Sequence, residues 1–265
     1  MVVVRKQIGG LPSTCFLLSN GSENVNLKKN KDEFIASTLY RSAIDEEKKW
    51  VKEKCNEHDI AVRASLINEV RDLGYDYNYL ADITHRENND RKLLDIVLKY
   101  IGKFNDEGIS AELVGVVGKK GNFTATETIL NNYMNSSERN KHMQAVFYDN
   151  ALDRIKDKRF VSTYMELLKN PEDAIRLPLT MILLGKWQVK EALPFFLQYL
   201  NSTLLYLNES TSDLIFIALN ALSYYIDADG TIQKEIELLL KSKDKAVVSA
   251  AKKAIKHLKR NSNIM

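Results

Sequence analysis

Proline, glycine and cysteine are scarce: the 265 residues hold only 4 Pro, 11 Gly and 2 Cys. An all-β chain of this length spends many more residues on turns, so the shortage leans helical. Two cysteines, Cys15 and Cys55, make neither a disulfide framework nor a metal cluster. No apolar run approaches the ~18 residues that a membrane span needs. The first residues, MVVVRKQIGGLPSTCFLLSNG, lack the basic, long-apolar and small-residue succession of a secretion signal. A cytoplasmic protein without a membrane partner is therefore expected.

Catalytic and metal-binding patterns are also missing. None of His58, His85, His142 and His257 has a Cys or His partner at zinc spacing. There is no Gly-x-Ser-x-Gly elbow and no Gly-x-x-x-x-Gly-Lys-Ser/Thr loop. DADG (Asp227 to Gly230) has the Gly of a calcium loop, but its twelfth position falls on Ile236 rather than an acid, so it reads as a turn. No cofactor, metal or enzymatic activity is expected. VVGKKGN (Val116 to Asn122) has the Gly-x-x-Gly spacing of a KH loop, yet it reads better as a turn with Thr124 and Glu127 as a capping box.

Helical periodicity is abundant after residue 45. DRKLLDIVLKYIGKF places Leu93, Leu94, Val97, Leu98 and Ile101 on one face. FVSTYMELLKN does so with Val161, Tyr164, Met165 and Leu168, and IQKEIELLLKS with Ile232, Ile236, Leu239 and Leu240. The helices come in pairs joined by turns at Asn56, Asn105, Asn170 and Asp244, with weaker starts near Ser137 and Ser210. Short polar side chains there suit N-caps, where they accept a free backbone N–H. GISAELVGVVGKKGNFTATETILNNYM aligns without a gap to IRLPLTMILLGKWQVKEALPFFLQYL, 67 residues on. Gly118 then meets Gly185, Lys119 meets Lys186, and Ile129-Leu130 meets Phe196-Leu197. This is about two units of solenoid length. Pro171 suits a first helical position, whereas Pro178 lies inside the second helix of its pair and is expected to bend it.

DIAVRAS (Asp59 to Ser65) and EDAIRLP (Glu172 to Pro178) carry a resemblance to HEAT-like repeats, including those of phycobilisome-lyase-like proteins. The resemblance covers about residues 45–260. It implies an all-α fold: a right-handed α-α superhelix, or solenoid of armadillo-like type, with about five to six helix pairs. Residues 1–44 are expected as an N-terminal arm or atypical capping segment, irregular at its start, with KDEFIASTLYRSAIDEEKKW (Lys31 to Trp50) as one or two helices leading into the array, and residues 45–265 as a single array. Arg63 and Arg176 would occupy the family's ladder position, bonded to turn groups such as Asn56, Asn105, Asn170 and Asp244. A lyase acting on a bilin, which this kind of repeat also suggests, finds no Cys/His/Asp cluster to support it.

The resemblance implies a non-enzymatic scaffold that binds a protein or peptide on its concave face, including a regulatory or immunity-type inhibitor. Second helices line that face in the family, which nominates Arg63, Arg71, Tyr148, Asp149 and Arg154. Trp187, flanked by Lys186 and Lys190, is a further candidate, because an aromatic between cations anchors peptides or stacks on bases. The alternative is a nucleic-acid-binding protein of the HEAT-like DNA glycosylase type. Net charge is +3, but residues 241–260 hold eight Lys/Arg against one Asp and the rest of the chain is acidic. Nucleic acid would then engage Lys119, Lys120 and the basic C-terminal helix.

Overall fold

The computed structural model describes residues 25–85, 89–201 and 209–262. The described residues form fourteen α-helices and no strand. Among them no helix is long and apolar enough to cross a membrane. The contacts divide the chain after Asp106 into two compact units.

The first unit contains α1 (Val25–Glu53), α2 (Glu57–Asp72), α3 (Leu80–Thr84) and α4 (Arg91–Tyr100). The helix expected over residues 31–50 lies within α1, which starts earlier, at Val25, and runs across the boundary at residue 44; residues 1–24 lie outside the described residues. The division after Asp106 falls within residues 45–265, the span of the expected array. Asn56 caps α2 by accepting the Asp59 N–H at 2.8 Å and donating to the Asp59 carboxylate at 3.1 Å. The apolar faces of α2 and α4 pack together, burying Leu66, Ile67, Val70, Leu93 and Val97.

Glu47 acts over a longer range. Its buried carboxylate accepts the backbone N–H groups of Leu80 and Ala81 at 2.9 and 3.0 Å, which are free because they open α3. Arg63 adds a charged bond to Glu47 at 2.6 Å and donates to the Asn78 carbonyl at 3.0 Å. Arg63 thus joins α1, α2 and the loop before α3, and its partners are not the turn asparagines of the expected ladder.

The second unit runs from α5 (Glu107–Val117) through α6 (Thr126–Asn135), α7 (Glu138–Ile155), α8 (Val161–Lys169), α9 (Pro171–Arg176) and α10 (Pro178–Lys186). It continues with α11 (Leu193–Asn201), α12 (Glu209–Leu222), α13 (Thr231–Leu238) and α14 (Lys245–Ser262). Helices α5, α7, α10, α12 and α14 pack each on the next, while α6, α8, α11 and α13 pack against members of that row. Tyr133, Tyr148, Tyr164 and Phe196 are the largest fully buried side chains.

The 67-residue register has a counterpart in the elements. A 3-10 turn at Phe123–Ala125 leads into α6 at Thr126, and one at Lys190–Ala192 leads into α11 at Leu193. Gly118 and Gly185 also share a packing role. A Cβ on Gly118 would lie 2.6 Å from the Cα of Ala151, and one on Gly185 would lie 2.6 Å from the Cα of Ala221. Two neighbouring helices approach so closely there that hydrogen alone fits. Thr124 makes no capping box: its hydroxyl donates to the Asn122 side chain at 2.9 Å, and α6 opens only at Thr126.

Pro178 does more than bend a helix. The chain leaves helical geometry at Leu177 (φ −120°, ψ 52°), so α9 and α10 are separate helices, each with Pro at its first turn. Proline lacks an N–H and crowds the preceding residue out of the helical region. The break leaves the first N–H groups of α10 in the interior. Asp149 on α7 takes them: its carboxylate accepts from Leu179 N at 3.0 Å and from Thr180 N and Oγ1 at 2.8 Å each.

Candidate interaction site

In the second unit the C-terminal ends of α7, α10 and α12 and the turn after α5 form an edge of paired rings and cations. The Arg159 guanidinium lies 5.8 Å from the Phe123 ring centre, Lys158 Nζ 5.7 Å from Trp187, and Lys186 Nζ 5.9 Å from Tyr224. Each ring and its cation come from different turns, so the pairs tie one turn to another. Lysines suit this edge because a helix C-terminus carries partial negative charge.

Two of the rings are substantially open: Phe123 is 46% exposed and Tyr224 is 39% exposed. Trp187 is half-buried. One neighbour is Tyr164, whose ring stacks on it with centres 6.1 Å apart, and Lys158 is the other. The indole therefore has both an aromatic ring and a cation against it. Tyr164 is fully buried, and its hydroxyl finds no hydrogen-bond partner among the described residues. Burial pushes its phenol well above the ordinary value, and nearby Asp157 adds to the rise.

Asp157 is the engaged acid of this edge, whereas the buried Oδ1 of Asp153 has no hydrogen-bond partner among the described residues. Asp157 accepts the Thr126 hydroxyl at 3.0 Å and the Arg159 guanidinium at 2.7 Å. Arg159 foremost among its bonding partners holds the Asp157 carboxyl below its usual range. Asp153 lies 3.7 Å from Lys186 Nζ. Lys156, Lys158, Arg159 and Lys186 are exposed, so the edge presents more positive than negative charge.

The other nominated residues are not gathered here. Arg63 and Arg71 lie in the first unit and serve its internal structure: Arg71 donates to the Tyr77 carbonyl at 2.7 Å and to the Asn78 side chain. Tyr148 (0% exposed) and Asp149 (4% exposed) are core groups, which corrects their nomination for partner contact. Tyr148 donates to the Asn132 side chain at 2.7 Å, and Asp149 holds α10. Both share the inward face of α7 with Ala145 and Leu152, the i, i+3, i+4, i+7 pattern. Arg154 is exposed one residue from Asp153.

Among the turn groups, Asn170 caps α9 by accepting from Glu172 N at 3.1 Å, and it donates to Asp173 at 2.9 Å. Asp244 caps α14 through Ala246 N at 2.7 Å. Asn105 instead donates its backbone N–H to Asp59 at 2.7 Å. Arg176 reaches Glu138 at 2.7 Å, Glu172 at 3.2 Å and Asp173 at 3.8 Å, acids other than the turn groups Asn56, Asn105, Asn170 and Asp244. Lys119 and Lys120 follow α5, which packs on α7, whereas α14 packs on α12 and α13. DADG is a turn in which Asp227 accepts from Ile232 N and Gln233 N. Among the described residues no cluster of three His, Cys, Asp or Glu is placed to hold a metal.

Reading the sequence alone found Trp187 and Lys186 but missed Phe123, Lys158, Arg159 and Tyr224. IKDKRF (Ile155 to Phe160) did carry a signal, three cations in a turn beside a tryptophan-bearing pair. No family model, curated protein or solved structure matches the chain.

Proposed function

We propose that the chain is a non-enzymatic helical-repeat adaptor of HEAT-like type, and that its second unit binds a protein or peptide. The row α5, α7, α10, α12 and α14, with α6, α8, α11 and α13 against it, supports a right-handed α-α superhelix. The elements shared 67 residues apart support the same reading.

The observation that carries the binding role is the file of three ring–cation pairs, Phe123–Arg159, Trp187–Lys158 and Tyr224–Lys186. Trp, Tyr and Arg dominate the energetics of protein interfaces, and rigid rings lose little entropy on binding. The Trp187 ring has Tyr164 and Lys158 as its neighbours, which leaves it poorly placed to stack on a base. The partner this chemistry fits is a peptide with apolar side chains next to acidic ones.

Affinity capture from native lysate tests the reading, with wild type compared with Lys158→Glu/Lys186→Glu. Both lysines are exposed, and because Lys186 also faces Asp153 at 3.7 Å, a circular dichroism melt checks that the variant folds. A stoichiometric protein partner that survives nuclease and is lost from the charge-reversed variant is the expected result. A partner held equally by both proteins, or one lost on nuclease treatment, would overturn it.

A further inference from the structure

Helix α14 carries the densest charge of one sign in the chain. Its buried residues are Val247, Ala251, Ala254 and Leu258, which pack on α12 and α13. At 100° per residue, Lys245, Lys252, Lys253, Lys256, Lys259 and Arg260 fall within about one third of the circumference, away from that face. All six are exposed. Lys241 and Lys243, just before the helix, are exposed too. None of these eight cations makes an ion pair among the described residues. The nearest acid in sequence, Asp244, spends its carboxylate on the backbone of the first turn. On α13, Glu237 accepts from Gln233.

The helix that carries the stripe is about 27 Å long for 18 residues at 1.5 Å each. Lysines four and seven apart lie about 6 and 10.5 Å apart along it. Three features choose its partner. First, the apolar face is consumed by the core and the exposed arc has no aromatic or large aliphatic side chain, so nothing is left to enter a lipid bilayer. Second, seven of the eight cations are Lys, a type depleted at protein interfaces but suited as a point charge to phosphate. Third, α14 has no Phe, Tyr or Trp to stack on a base, His257 being its one exposed ring, and the Asn261 amide beside Arg260 is spent on the Ser223 carbonyl rather than free to read base edges.

We propose that α14 binds the phosphate backbone of duplex nucleic acid without reading its sequence. A duplex offers a charge about every 1.7 Å of axis, so a row of lysines along one helix can meet several phosphates at once. This surface adjoins the ring–cation file, since Asn261 near the end of α14 donates to the Ser223 carbonyl at 3.0 Å, one residue before Tyr224; the three lysines exchanged in its test do not belong to that file, so the test does not depend on the adaptor reading.

The experiment titrates the full chain into two short labelled duplexes of unrelated sequence across a salt series. A Kd of roughly 1 to 100 μM at physiological salt is expected for both, with a log–log salt slope of about −4. Lys245→Gln/Lys252→Gln/Lys256→Gln should flatten the slope by about 3 and weaken binding at least about tenfold at low salt. The corresponding triple Arg variant should bind as wild type does, and circular dichroism melts of both variants check that they fold. Absence of duplex binding at low salt, a folded Gln variant that binds like wild type, or a folded Arg variant that does not bind would overturn the proposal. So would binding to phosphatidylserine–phosphatidylcholine vesicles without binding to either duplex.

Discussion

The carboxylate of Asp149 on α7 accepts both the backbone N–H and the hydroxyl of Thr180 on α10, each at 2.8 Å. With Leu179 N at 3.0 Å it replaces an N-cap that Leu177 cannot supply. Asp149→Ala leaves buried N–H groups unsatisfied and should cost about 2–4 kcal/mol. Asp149→Asn keeps the shape but turns a donor toward donors, so it should cost about 1–3 kcal/mol.

The same residue makes stability depend on pH. Burial pushes the Asp149 carboxyl up to about 6, the Leu179 and Thr180 bonds pull it down, and Asp153 adds to the rise. A folded value raised above the ordinary one near 4 means that the folded chain binds the extra proton between those values. The contribution of Asp149 to stability therefore grows as pH falls from about 7 to about 4 and shrinks as pH rises through 6. Urea midpoints of wild type and Asp149→Asn over that range should converge toward high pH and separate toward low pH. Parallel curves would contradict this account.

Much of this was legible in the chain and some was not, for physical reasons. Helices follow from local periodicity, so α4, α8 and α13 were readable, as was the register linking Gly118 to Gly185. Leu240 was the exception: it is exposed, because the chain tightens into a 3-10 turn at Leu239–Lys241 and rotates it off the face. Remote caps cannot be read this way, since Glu47 and Asp149 serve helices more than thirty residues on. Asp149 did leave a trace, an acid inside the apolar stripe of α7. The ring–cation file joins turns distant in sequence, so only its most local member, Trp187 beside Lys186, stood out.

The close approach at the two glycines gives a direct test of the shared register. At Gly118 and at Gly185 an added methyl overlaps the backbone of the next helix, at Ala151 and Ala221. Gly118→Ala and Gly185→Ala should each destabilise by about 1–3 kcal/mol, because helices must move apart. Gly121 has φ +78° and open space around it, so Gly121→Ala should cost only about 1 kcal/mol of backbone strain. Chemical denaturation ranks the three, and a tolerated Gly185→Ala would remove the packing argument.

Glu47 predicts a failure confined to the first unit. Glu47→Ala strips two backbone N–H groups of their acceptor and leaves Arg63 without its charge partner. A loss of about 3 kcal/mol is expected, as for other broken buried pairs. Hydrogen exchange should show α3 and the Tyr77–Tyr79 loop opening first. Unchanged protection at Leu80 and Ala81 would show that Glu47 does not hold them.

One substitution at two buried tyrosines should act in opposite directions. Tyr133 Oη donates to the Asp173 carboxylate at 2.6 Å, and its ring meets Tyr148 edge-on with centres 5.3 Å apart. Burial first, then Asp173, pushes its phenol far above the ordinary value, as a proton held in that bond requires. Tyr133→Phe leaves Asp173 with Asn170 at 2.9 Å and Arg176 at 3.8 Å, and should cost about 1–2 kcal/mol. Tyr164 is as deeply buried, but its hydroxyl has no partner among the described residues. Tyr164→Phe removes an unsatisfied polar atom while keeping the ring under Trp187, so it should be neutral or stabilise by up to about 1 kcal/mol. Urea midpoints of the two variants and their double mutant measure both effects, which should add. A Tyr164→Phe loss matching that of Tyr133→Phe would mean that the Tyr164 hydroxyl is bonded in solution, and the edge around Trp187 would then contain a polar contact in its floor.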